Sequence, residues 1–257
     1  MSRSNPIDGA RNPSSRWFEW AGGADGGFVR WYDKEAKTNV RVDGAFTFLL
    51  LDELSTVKGW NDPSASAIYA NEVRDTRQDV LVVRSFKGGE IASGIYTDIR
   101  DRVMAHGGHY CASIYIAFKG ETGLQLGNLG LKGAAAGAWM DFKRNAPTKK
   151  DADGKSVRAY FVDAIKVDGY EQLKKGGTTY RIPKFSFAPA SESTNREAAA
   201  LDAELQAFLA EYLKRPKADA TKDYPAAPNG NNEPEPPLRD ERDPPTAVDY
   251  LDEPIPF

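Results

Sequence analysis

At 257 residues, with 40% hydrophobic and 28% charged side chains, the chain is long enough for one sizeable core carrying a polar appendage. Its longest apolar run is the five residues Ile114 to Phe118, far short of the roughly 20 that cross a bilayer, and the N-terminal stretch lacks the apolar segment of a secretory signal. A single cysteine, Cys111, excludes an internal disulfide and fits a reducing compartment, so a cytoplasmic protein with no membrane partner is expected.

The net charge of -3 conceals an asymmetry. Residues 216–257 hold ten acids against four bases, which leaves 27 acids and 30 bases in residues 1–215. A mildly basic body joined to an acidic tail points to an anionic partner and to an internal competitor for it. A solubilising tail on an ordinary domain is the plainer alternative.

In chain order, residues 1–15 are polar and expected to be a flexible lead-in to a body over residues 16–190. The body reads mainly as strands: "RWFEW", "FVRWYD", "NVRVDGAFTFLLLD", "DVLVVRSF", "HYCASIYIAF", "LQLGNLGL", "SVRAYFVDAIKV" and "TYRIPKFSF" are rich in Val, Ile, Tyr, Phe and Trp. Ser55 to Gln78 reads as one long loop holding Lys58, Trp60, Tyr69, Arg74 and Arg77. Two helices are expected within the body, "GIYTDIRDRVMAHGG", stopped by its glycines, and the alanine-rich "GAAAGAWMDFKRN". Over residues 191–215, Leu201, Leu205, Phe208, Leu209 and Tyr212 recur at helical spacing, Thr194 and Glu197 fit a capping box, and Pro216 ends the helix. Residues 216–257 contain ten of the 16 prolines and are expected to be a disordered acidic tail.

Several long strands, a helix, further strands and a closing helix match an OB-like antiparallel β-barrel with additional strands and helices. An antiparallel sandwich fits the same periodicity. Alternation then sorts the strands into faces. Arg30, Tyr32 and Lys34 share one, as do Val82, Arg84 and Phe86; Ser113, Tyr115, Ala117 and Lys119; and Arg158, Tyr160 and Lys166. Faces that mix cations with rings suit single-stranded nucleic acid, because cations follow the phosphates and rings stack on unpaired bases. Ordinary cross-strand packing explains any one such residue equally well. The expected contacts are Arg30, Tyr32, Lys58, Trp60, Arg84, Tyr115, Arg158, Tyr160 and Lys166, with Trp60 as a stacking finger in the long loop.

The segments "TVKGWND", "IYANEVRDTRQDVLVV", "GGHYCASIYIAFK", "LGNLGLKGAAAGAWMDF" and "RIPKF" together resemble a group of bacteriophage single-stranded-DNA-binding proteins with an OB-type body, over about residues 16–187. The closing "IPF" is similar to the C-terminal tip of bacterial single-stranded-DNA-binding proteins, although Pro254 separates it from Asp252 and Glu253. The resemblance implies non-enzymatic, sequence-tolerant binding of single-stranded DNA in phage replication, recombination or repair, in the cytoplasm of an infected bacterial host. It further implies that Asp252, Glu253, Ile255, Pro256 and Phe257 recruit replication or recombination proteins, while the tail competes with DNA.

Other chemistry is weakly supported. His106, His109 and Cys111 are zinc-compatible types, but no fourth ligand accompanies them, and nothing marks Cys111 as an activated thiolate. No catalytic residue, metal or cofactor is expected. The alternatives held open are a metal-dependent nuclease using Asp52, Glu53, Asp62, Glu72, Asp75 or Asp79, and a scaffolding protein that does not touch DNA.

Overall fold

The computed structural model describes residues 12–151 and 153–215. In chain order the strands are β1 (Arg16–Ala21), β2 (Phe28–Asp33), β3 (Thr38–Arg41), β4 (Phe46–Asn61), β5 (Ser66–Ala70), β6 (Leu81–Ser85) and β7 (Gly89–Gly94). Helix α1 (Tyr96–Ala105) leads to β8 (Gly108–Gly120) and β9 (Gly123–Lys132), and α2 (Gly133–Arg144) to the short β10 (Thr148–Lys150) and β11 (Ser156–Arg158). A 3-10 turn (Ala159–Phe161), β12 (Ala164–Lys175), β13 (Thr178–Ala188) and α3 (Glu192–Tyr212) complete the described chain.

The fold is mainly β, with a large mixed sheet in which β1 runs parallel to β9. The expected closed barrel is not formed among the described residues. There, β3 pairs only with β2, β13 only with β12 and β7 only with β6, so each is left with an edge where a barrel would close.

The chain divides into two compact units, and β4, β8 and α3 each supply residues to both. One, the wide-sheet unit, comprises residues 14–53 and 110–199. Its core is aromatic: Phe18 lies 4.7 Å from Phe46 and 4.9 Å from Phe118, and Trp139 reaches Phe48 at 6.4 Å and Phe185 at 5.2 Å. Enclosing each such ring contributes about 1.5–3 kcal/mol over leaving it in water. The indole N–H of Trp139 donates to Glu53 at 2.9 Å and the Lys143 ammonium donates to the same carboxylate oxygen at 2.6 Å, so the buried indole is satisfied.

The other, the meander unit, comprises residues 54–109 with 200–215. The second half of β4, then β5, β6 and β7, pair in sequence as antiparallel neighbours. β5 alternates buried and partly exposed residues without a break, as a strand covered on one face should. Val57, Ile68, Ala70, Leu81 and Val83 are buried with Tyr96, Ile99 and Val103 of α1. Gly107, at φ +86°, ends α1 in a conformation that disfavours side chains, and its carbonyl accepts from the N–H of Trp60 at 3.3 Å. At Gly59 a Cβ would stand 2.0 Å from that same carbonyl oxygen, so both positions require glycine.

Three sequence expectations change. The supposed loop from Ser55 to Gln78 is largely strand: β4 continues to Asn61 and turns through residues 62–65, with Asn61 Oδ1 accepting from the N–H of Ser64 at 2.9 Å. The supposed strand "SVRAYFVDAIKV" is interrupted by the 3-10 turn, which breaks the alternation relating Arg158 and Tyr160 to Lys166. The capping box of α3 is displaced: Ser191 Oγ accepts from the N–H of Thr194 at 3.1 Å, and Glu197 instead accepts from the N–H of Leu124 at 2.7 Å. The apolar stripe holds, with Leu205, Phe208, Leu209 and Tyr212 buried, and the Tyr212 hydroxyl accepts from the N–H of Glu72 at 2.8 Å.

Candidate nucleic-acid interface

Cross-strand register assembles one face of the meander unit from residues far apart in sequence. Lys58 of β4 stands opposite Tyr69 of β5, Tyr69 opposite Arg84 of β6, and Arg84 opposite Glu90 of β7. Residues directly opposite each other point to the same side, about 5 Å apart, so cation, ring, cation and acid form one row across the strands. Trp60, two residues beyond Lys58, shares its face and lies opposite Ala67, whose small side chain leaves the indole partly exposed. Phe86, two residues beyond Arg84, is 46% exposed and meets the Tyr69 ring edge-on at 6.4 Å. Sequence reasoning placed Tyr69 in a loop and left both rings out of the contact set. The signal for Phe86 was its i, i+2 spacing with Arg84, whereas Tyr69 joins the face only through register.

The electrostatics of the row are unsettled at its acidic end. Arg84 reaches Glu90 at 3.7 Å, an ion pair longer than a hydrogen bond, and its Nε is buried without a partner. Because 31% of the side chain is exposed, the outer end of the guanidinium keeps donor capacity that an anion can use, while the buried Nε does not.

The remaining expected contacts lie in the wide-sheet unit and do not form one face. Arg30 sits between Glu19 and Arg41 in register and is closed by Glu19 at 2.7 Å, with 17% of its side chain exposed. Neighbouring Arg41 lies over the Phe28 ring at 4.6 Å. Tyr32, on the same side of β2, is exposed. Lys166 of β12 pairs with Asp168 at 2.8 Å, and that hydrogen bond holds the Asp168 carboxyl below its ordinary range. Tyr115 is a correction. It is 0% exposed within β8, whose residues 110–118 are all buried, so it is a core side chain and no base can stack on it.

Arg158 belongs to a small basic ribbon formed by β10 and β11, and Tyr160 follows it in the 3-10 turn. Arg158 pairs with Thr148 and Lys150 with Ser156, which sets both cations on one ribbon face. Arg158 Nη1 donates to the Ala146 carbonyl at 2.8 Å, and Lys149 on the opposite face donates to Asp163. In the 3-10 turn that follows, Tyr160 and Phe161 meet edge-on at 4.7 Å, and Phe161 is 60% exposed. Burial pushes the Tyr160 hydroxyl pKa up, against a lowering by the Arg158 guanidinium.

The tail residues Asp252, Glu253, Ile255, Pro256 and Phe257 lie outside the described residues. Among the described residues no group of three His, Cys, Asp or Glu side chains is placed to hold a metal ion, and no helix is long and apolar enough to cross a membrane.

No protein-family model, curated protein or solved structure matches the chain.

Proposed function

We propose that this chain binds single-stranded DNA without reading its sequence, through the exposed face of the meander unit. The observation that carries the reading is the row Lys58–Tyr69–Arg84, flanked by Trp60 and Phe86. Lys58 and Arg84 take the phosphates. Trp60, Tyr69 and Phe86 offer faces and edges on which unpaired bases stack, each stack contributing about 1–3 kcal/mol. Every base has a π-face, so such a surface tolerates any sequence. No enzymatic step is part of this role.

The resemblance of five segments to bacteriophage single-stranded-DNA-binding proteins supports the same reading, and with it a place in phage DNA replication, recombination or repair inside the bacterial host. In this reading the acidic tail competes with DNA for the cations. Its end, Asp252, Glu253, Ile255, Pro256 and Phe257, recruits a replication or recombination protein through an apolar pocket edged by bases.

The test is a titration of a labelled oligothymidylate at several salt concentrations. Affinity falls with salt by a log–log slope of about -0.7 for each phosphate neutralised, and Lys58→Glu with Arg84→Glu makes the slope shallower. A slope unchanged by those substitutions removes the face from the interaction, and absence of binding at any salt removes the function.

A further inference from the structure

The wide-sheet unit carries a second surface with the same two ingredients, made of different parts. Over residues 148–161 the chain holds Lys149, Lys150, Lys155 and Arg158 against Asp151 and Asp153. The acid at 151 is occupied by the turn: its Oδ1 accepts from the N–H groups of Asp153 at 3.0 Å and Lys155 at 2.8 Å. Lys149 is taken by Asp163. Lys150 and Arg158 lie diagonally on one ribbon face, bonded only to neutral oxygens, Ser156 Oγ at 2.9 Å and the Ala146 carbonyl at 2.8 Å, and Lys155 is exposed at the turn. Three residues after Arg158 comes Phe161, the most exposed large apolar side chain among the described residues, held against Tyr160.

An exposed phenylalanine and two cations on one ribbon face are each costly to maintain for folding alone. The ring leaves apolar surface in water, and like charges on one small ribbon repel. Together they match an unpaired, anionic strand: cations for phosphates and one ring pair on which a base can stack. A protein partner offering acidic side chains would satisfy the cations but leaves the stacking face unused.

We infer that the β10–β11 ribbon with Tyr160 and Phe161 is a second, separate contact for the same single strand, engaged only by strands long enough to reach both patches. This rests on the proposed binding of single strands by the meander unit. Each patch is complete within its own unit, so short strands bind one patch and longer strands bind both. Engagement of the second is then intramolecular, and linked sites of this kind raise overall affinity by about 10²–10⁴ when the connecting length suffices. A weak second patch reaches only the lower part of that range.

The experiment measures affinity of the full chain for oligothymidylates of graded length, from about 6 to about 40 nucleotides, by fluorescence anisotropy; single OB-type sites cover about 4–16 nucleotides. The wild type shows two rises in affinity with length, the second of about a hundredfold. Lys150→Glu with Lys155→Glu, and separately Phe161→Ala, abolish the second rise and leave short oligonucleotides bound as before. All three positions are exposed, and circular dichroism melting verifies that each variant is folded.

A single smooth rise in the wild type overturns the inference. So does a second rise that survives in both variants, or a loss that is equal at all lengths. In the first two cases short-strand binding by the meander unit stands, whereas an equal loss at all lengths places short strands on the ribbon and overturns the meander-unit reading as well. If short and long strands alike fail to bind the wild type, the underlying function fails as well.

Discussion

Glu90 terminates the row of the meander unit, and its removal gives a sharp test of what the row is for. If Arg84 holds a phosphate, Glu90 is that phosphate's competitor, and Glu90→Gln tightens DNA binding. The pair stands at 3.7 Å, with 31% of the Arg84 and 51% of the Glu90 side chain exposed. Coulomb's law in water gives about 1 kcal/mol at that distance, and exposed pairs measured by double-mutant cycles fall between about 0 and 1 kcal/mol. The substitution is therefore expected to tighten binding about two- to fivefold at low salt. At about 1 M salt, where the screening length is only about 3 Å, the gain disappears. Anisotropy titrations at the two salt concentrations read both numbers. A cycle with Arg84→Ala isolates the mechanism, because Glu90→Gln has no effect once the guanidinium is gone. If Glu90→Gln weakens binding, or tightens it equally in the Arg84→Ala background, Arg84 is not a phosphate seat.

Other outcomes follow from the same geometry. Trp60→Ala weakens binding to oligothymidylate by about 1–3 kcal/mol with its melting transition retained, whereas Trp17→Ala leaves affinity unchanged; equal losses would place Trp60 in the core. Tyr115→Ala lowers stability by about 3–5 kcal/mol in urea denaturation, because the ring is wholly enclosed in β8, and a surface-like loss below about 1 kcal/mol would contradict that burial. The Tyr160 hydroxyl ionises above the ordinary tyrosine value in an ultraviolet titration, and Arg158→Ala moves it further up, since the guanidinium is the influence pulling it down. Because folding raises that pKa, the associated stability is present below the unfolded value and is lost as pH climbs through the folded one. A Tyr160 titration that does not move in Arg158→Ala would show the two groups are not in electrostatic contact.

Much of the strand inventory was legible because its signal is local. β2 coincides with "FVRWYD", β13 brackets "TYRIPKFSF", and the stripe of α3 packs as its spacing demanded. What failed was whatever depends on neighbours. A Gly-Trp-Asn-Asp-Pro sequence looks like a loop, yet β4 carries Gly59 and Trp60 within a strand of 16 residues, because Gly59 lets the Gly107 carbonyl approach. Alternation in "SIYIAFK" offered Tyr115 to solvent, but the near-unbroken apolar run around it is the mark of a strand covered on both faces. The ladder uniting Lys58, Tyr69 and Arg84 is a matter of register between strands, which single-strand alternation does not encode. Closure into a barrel is likewise a property of edges. The free edges of β3, β7 and β13 among the described residues leave no trace in hydrophobic pattern.

The most direct measurement is photo-cross-linking of an iododeoxyuridine-substituted oligonucleotide to the full chain, with the attachment points mapped by mass spectrometry. Short oligonucleotides are predicted to attach at Trp60, Tyr69 or Phe86, and long ones additionally at Tyr160 or Phe161. Attachment confined to other residues, or none at all under conditions where the strand is bound, would contradict the account.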